Sequence, residues 1–156
     1  MRGTLLALAG ITALATACGH AAGHTAAHPT HHTTQTAQPP DAYLTAGGVR
    51  AKMATGSSCW TVMHGTSGST ACSDSVGWEQ YPALPRFGAN SGDRVTVSFG
   101  FRPDRPIEVD YGGHSTYIAA SPRPTLTVPG RGILSVDAHG SHGDVSYGIR
   151  IVPSSG

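Results

Sequence analysis

Arg94-Val95-Thr96-Val97-Ser98-Phe99-Gly100-Phe101-Arg102 alternates apolar residues with small or polar ones without a break. In an extended chain successive side chains point to opposite faces. Val95, Val97, Phe99 and Phe101 therefore share one side, and Thr96, Ser98 and Gly100 the other. That is the pattern of a half-buried strand. The end of the chain repeats it, with Val145, Tyr147, Ile149 and Ile151 set against Ser146, Gly148 and Arg150. Both segments are expected at the centres of sheets.

Shorter runs of the same kind occupy residues 49–53, 60–64, 107–111, 115–119, 125–128 and 133–138, each bounded by Gly, Pro, Asn or Asp. Between them no stretch has the 3.6-residue period of an amphipathic helix. The 21 glycines and 11 prolines among 156 residues, with only 12% charged, suit many turns and short strands. The expectation is an all-β domain over residues 43–156, a small immunoglobulin-like β-sandwich of seven or eight strands. An open barrel is the other architecture these strands allow.

Outside that domain the chain is built differently. Residues 1–17 carry one positive charge at Arg2, an apolar run over residues 5–14, and small residues at Ala15, Thr16 and Ala17. This is the layout of a secretory signal peptide. The apolar run falls short of the roughly 20 residues needed to cross a hydrocarbon core. Leu14-Ala15-Thr16-Ala17-Cys18 resembles the lipobox of bacterial lipoproteins, with Ala15 where that family usually has leucine. The resemblance implies that the Cys18 thiol receives diacylglycerol and becomes the mature N-terminus, with membrane lipid as its partner. Acyl chains contribute about 0.8 kcal/mol per buried methylene, so two or three on one cysteine hold a protein firmly at the membrane. The location implied is the extracytoplasmic side of the cell membrane. Cleavage after Ala17 as an ordinary secretory signal is the alternative, and it leaves a free thiol at Cys18.

Lys52 is the only lysine beside nine arginines, and Ala, Gly and Thr are abundant, a bias associated with high-GC actinobacterial genomes. Without Arg2, nine basic residues face nine acidic ones. That balance supplies no electrostatic footprint for nucleic acid. Ser58-Cys59-Trp60, Cys72-Ser73-Asp74 and residues 95–103 faintly resemble extracytoplasmic domains of other Gram-positive lipoproteins, a resemblance that implies location and fold class and no activity.

Residues 18–42 read as the lipidated cysteine followed by a disordered tether of Ala, Gly, Thr, Gln, Pro and His, with nothing large and apolar to start a core. Five of the nine histidines lie here: His20, His24, His28, His31 and His32. Neutral imidazoles bind Zn and Cu, so this tract is a candidate metal-binding segment as well as a spacer. Cys59 and Cys72 are the only cysteines after Cys18, and in an oxidising compartment a disulfide between them is expected.

Chemistry-bearing motifs are few. Gly65-Thr66-Ser67-Gly68-Ser69 lacks the pattern and context of a nucleophile elbow, and neither a phosphate-binding loop nor H-E-x-x-H occurs. The sequence therefore points away from an enzyme. His139-Gly140-Ser141-His142-Gly143-Asp144, between two expected strands, brings two imidazoles and a carboxylate close in sequence. They are candidate ligands for Zn or Cu, with His64 and His114 as further donors, or else an ordinary polar turn. Trp78 and Tyr81 lie in a long segment with little strand character, the kind that carries recognition in sandwich folds, though a Trp there also serves to cover one end of a core. The function expected is a surface-displayed binding domain with a cell-wall or protein partner. Metal handling through the histidines is the alternative.

Overall fold

The computed structural model describes residues 37–154, and over that span the regular structure is β-strand apart from one short 3-10 helix. Eleven strands form two antiparallel layers, an all-β sandwich. The smaller sheet runs in the order β2 (Val49–Lys52), β1 (Ala42–Ala46), β6 (Arg94–Phe99), β9 (Thr125–Thr127). The larger runs β4 (Ser67–Ser73), β3 (Ala54–His64), β11 (Gly143–Val152), β10 (Gly132–Gly140), β7 (Ile107–Tyr111), β8 (His114–Ile118). Strand β5 (Arg86–Gly88) adds a short parallel pairing to the far end of β11.

The two alternating segments decide this arrangement. In β6 the burial alternates strictly, with Val95 and Val97 sealed from solvent and Thr96 and Ser98 half-exposed. In β11 Val145, Tyr147, Ile149 and Ile151 all point inward and are at most 2% exposed. Both are interior strands of their sheets, as expected. Their inward faces meet Leu44, Val109, Leu134 and Val136 in one continuous core, the layer in which hydrophobic burial drives folding.

The strand count exceeds the seven or eight expected. β1, β4 and β5 were not legible as strands, because Ala42–Ala46 and Arg86–Gly88 are short and Ser67–Ser73 has no large apolar residue. The folded part also begins earlier than residue 43. Ala37 is 5% exposed, and the buried Tyr147 hydroxyl donates to the Pro40 carbonyl, so the last residues assigned to the tether pack on the domain. Burial pushes the Tyr147 phenol well above its ordinary range, with the Asp41 carboxylate adding to it.

Two tight hairpins show how local chemistry sets register. Gly47 and Gly48 join β1 to β2, and Gly112 and Gly113 join β7 to β8, all four with positive φ. Two consecutive residues with positive φ make the turn whose twist matches that of the flanking strands. Because register has period two, these turns decide which residues of β7 and β8 face outward.

Candidate functional site

The outer face of the larger sheet carries the site. β10 and β11 pair directly, placing His139 opposite Asp144 and Asp137 opposite Ser146. β7 pairs on the other side of β10 and sets Glu108 opposite Asp137. These residues alternate with the buried ones, so they project away from the core. Over them passes the segment that follows β4, leading into a 3-10 helix at Trp78–Gln80. A cleft of about 750 Å³ lies between this segment and the sheet, with Ser57, Trp78, Arg105, Glu108, Tyr117 and His139 among its lining.

Trp78 is held there by the absence of two side chains. Gly56 on β3 and Gly148 on β11 face outward yet are buried. A Cβ on Gly148 would lie 2.5 Å from the Trp78 ring, and one on Gly56 would lie 2.7 Å from it. The indole thus lies flat on two bare strands. Tyr81 follows it, 5.4 Å between ring centroids, and its hydroxyl donates to the Thr55 carbonyl at 3.2 Å. Trp78 therefore covers the outside of a sheet, neither closing an end of the core nor standing free.

His139 is fixed by a residue that sequence reasoning missed. Its Nδ1 lies 2.5 Å from Asp104 Oδ1, and its Nε2 lies 3.9 Å from Asp144 Oδ1. The hydrogen bond to His139 lowers the Asp104 carboxyl below its usual range, aided by the charges of His139 and Arg105. Pro103 next to Asp104 bridges to Gly140, which brings the β6–β7 connection against the end of β10. Asp104 stands 35 residues from His139, and no spacing motif links them.

His142 takes a different path. Its Nδ1 lies 2.9 Å from the Thr61 carbonyl and its ring rests 5.8 Å from that of Trp60, so it closes the turn over β3. The expected trio of His139, His142 and Asp144 is therefore not assembled as one ligand set. Among the described residues no group of three or more His, Cys, Asp or Glu is placed to hold a metal ion. His64 ends β3 and His114 begins β8, on separate hairpins. Cys18, His20, His24, His28, His31 and His32 lie outside the described residues.

Cys59 and Cys72 form the expected disulfide, directly opposite one another on β3 and β4 with Cα atoms 4.0 Å apart. The bridge borders the cleft and pins the hairpin from which the Trp78 segment departs. Among the other aromatic residues, Trp60 and Phe87 belong to the core, while Tyr117 is 68% exposed and donates its hydroxyl to Glu108 at 3.1 Å.

Asp137 sits among like charges. Desolvation raises its carboxyl above the usual range, and Glu108 and Asp110 raise it further. The cleft so built has an aromatic wall, a floor of serine hydroxyls and carboxylates, and one guanidinium from Arg105. Its chemistry is that of polar recognition by hydrogen bonds and ring contacts. Comparison of the chain with protein-family models, with curated proteins and with solved structures finds no match.

Proposed function

We propose that this protein is a membrane-anchored extracytoplasmic lipoprotein that displays a β-sandwich binding domain, with the outer-face cleft as its contact surface. The lipobox-like Leu14-Ala15-Thr16-Ala17-Cys18 supports the anchor. The cleft supports the binding role, because Trp78, Tyr117, Arg105, Glu108 and His139 come from four separate stretches of chain and converge on one concave surface. Convergent polar groups beside aromatic rings in a concavity are the usual form of a recognition site. The partner is a polar cell-wall component or a surface protein.

Two experiments test the two halves. Cys18→Ala should move the protein out of the membrane fraction and abolish acyl labelling; a wild-type protein without acyl label would overturn the anchor. A photo-crosslinking residue placed at Val76, 52% exposed on the cleft rim, should give a discrete adduct in intact cells. The same residue at Val49, 61% exposed on the other sheet, should give none. No adduct at Val76, or equal adducts at both, would overturn the binding half.

A further inference from the structure

The two sheets do not close along the side where β8 and β9 form their edges. A second cavity of about 340 Å³ opens there, sharing no lining residue with the cleft of Trp78 and His139. Its inner wall is the core itself, formed by Val95, Val109, Val128 and Leu134, each at most 6% exposed. Ile118 and Leu126 flank it, half-buried. Its mouth is polar and solvent-exposed, with Thr116 on β8, Thr125 and Thr127 on β9, and His114 at the β7–β8 hairpin.

Protein interiors are packed as densely as organic crystals, and voids larger than a water molecule are few. A cavity of 340 Å³ is more than twice the size of an engineered one of about 150 Å³ that stays dry and takes up benzene. It also falls in the range of about 300 to 1,000 Å³ typical of ligand pockets. Leucine or phenylalanine in place of Thr116, which faces inward opposite Val109, would fill much of the space. The chain instead keeps short side chains at the mouth and apolar ones behind it.

That lining selects its occupant. Buried valine and leucine side chains offer no partner to a sugar or a charged group, whose unpaired burial is costly. The polar groups stand on one side only, so the ligand has one polar end. At roughly 30 Å³ per small group, the volume accommodates about ten or eleven carbons. At the mouth the His114 ring N–H is a donor suited to a carboxylate. We infer that this cavity binds the alkyl chain of a medium-length fatty acid, chain inward and carboxylate towards His114.

The test is titration of the full-length protein with decanoate, followed by calorimetry and by methyl chemical shifts. Saturable one-to-one binding is expected, with a negative heat-capacity change and shifts centred on Val95, Val109, Leu126 and Leu134. Thr116→Trp, which fills the mouth, should weaken binding by at least about tenfold, equivalent to about 1.4 kcal/mol. Leu126→Trp does the same from the opposite strand, where Leu126 faces inward opposite Val95, should the first variant fail to fold. His114→Ala should weaken decanoate several-fold and leave decanol unchanged. Absence of saturable binding by the wild type would overturn the inference. So would unchanged affinity in a tryptophan variant that keeps the wild-type circular dichroism, or shifts centred on Trp78 and His139. Equal effects of His114→Ala on decanoate and decanol would remove the carboxylate assignment.

Discussion

Gly148→Ala should lower stability by about 1 to 3 kcal/mol, and it should do so only while Trp78 is present. The new Cβ would stand 2.5 Å from Trp78 Cε3 and 2.7 Å from both Cδ2 and Cζ3, where carbon atoms prefer about 3.5 to 4.0 Å. About 1 Å of overlap thus falls on three atoms of a single ring. Sliding along the sheet gives no relief, because the other edge of the indole already lies over Gly56. If the ring swings out instead, it loses roughly half of an aromatic side chain's buried area, and at about 25 cal/mol/Å² that costs about 2 to 3 kcal/mol. Either response stays within the stated range. In a Trp78→Ala background the same substitution should be neutral or slightly stabilising, since alanine loses less backbone entropy than glycine in a strand, by about 0.5 to 1 kcal/mol. Urea unfolding of the four proteins, followed by far-UV circular dichroism, completes a double-mutant cycle. An equal cost of Gly148→Ala in both backgrounds would refute the claim that the bare glycines exist to seat the indole.

Cys59→Ser and Cys72→Ser should each lower stability by about 3 kcal/mol, the chain-entropy value for a loop of this length, because both residues are exposed and their loss opens no cavity. Thiol titration of the native protein that finds both cysteines free would contradict the bridge. Asp137→Asn should raise stability near pH 7 by less than about 1 kcal/mol, since solvent screens this exposed carboxylate. The folded-state pKa of Asp137 is raised, so its penalty is full above that pKa and fades as pH falls through the carboxylate range. The gain from Asp137→Asn should therefore vanish in acid, as urea unfolding at several pH values would reveal, and a gain constant with pH would exclude a charge effect.

The sandwich class was legible because β6 and β11 carry it in their own alternation, and strands buried on one face need no distant information to be recognised. The disulfide was legible by elimination among three cysteines. The strands that escaped notice lack either length or apolar residues: β4 is built of Ser, Gly, Thr, Ala and Cys and is a strand because β3 pairs with it. Tertiary pairing overrides a weak local signal. At the site, closeness in sequence misled for His142. Adjacent positions around a hairpin turn point to different sides, so His139 reaches Asp104 while His142 folds back on Thr61. Glu108 and Asp137 were illegible because strand register joins them, and Asp104 because a loop contact brings it to His139; no spacing records either. Once β7 and β10 are aligned, the alternation of each strand places Glu108 and Asp137 on one face.

The two outer faces of the sandwich also differ in how their charges are satisfied. On the smaller sheet Arg50 lies over the Tyr43 ring at 3.7 Å, and Lys52 meets Asp41 at 2.7 Å. That hydrogen bond raises the Lys52 pKa, as expected of a cation held by its partner. Two of the three basic residues on the strands of that sheet, Arg50 and Lys52, thus have a complement within the fold. On the larger sheet Glu108, Asp110 and Asp137 crowd together, and the two neighbours act on Asp137 in the same unfavourable direction as its desolvation. Like charges directly across a sheet destabilise it. Glu108 and Asp110 accept hydrogen bonds from Tyr117 and Ser115, so the carboxylate that bears the unfavourable charge is Asp137; Gly56 and Gly148 likewise leave two strands bare under an indole that a loop must bring back. Where a sequence departs from its own stabilising pattern, the positions concerned are expected at functional or strained sites. The departures coincide with the cleft that Trp78 and His139 line, which is the surface the proposed binding role requires.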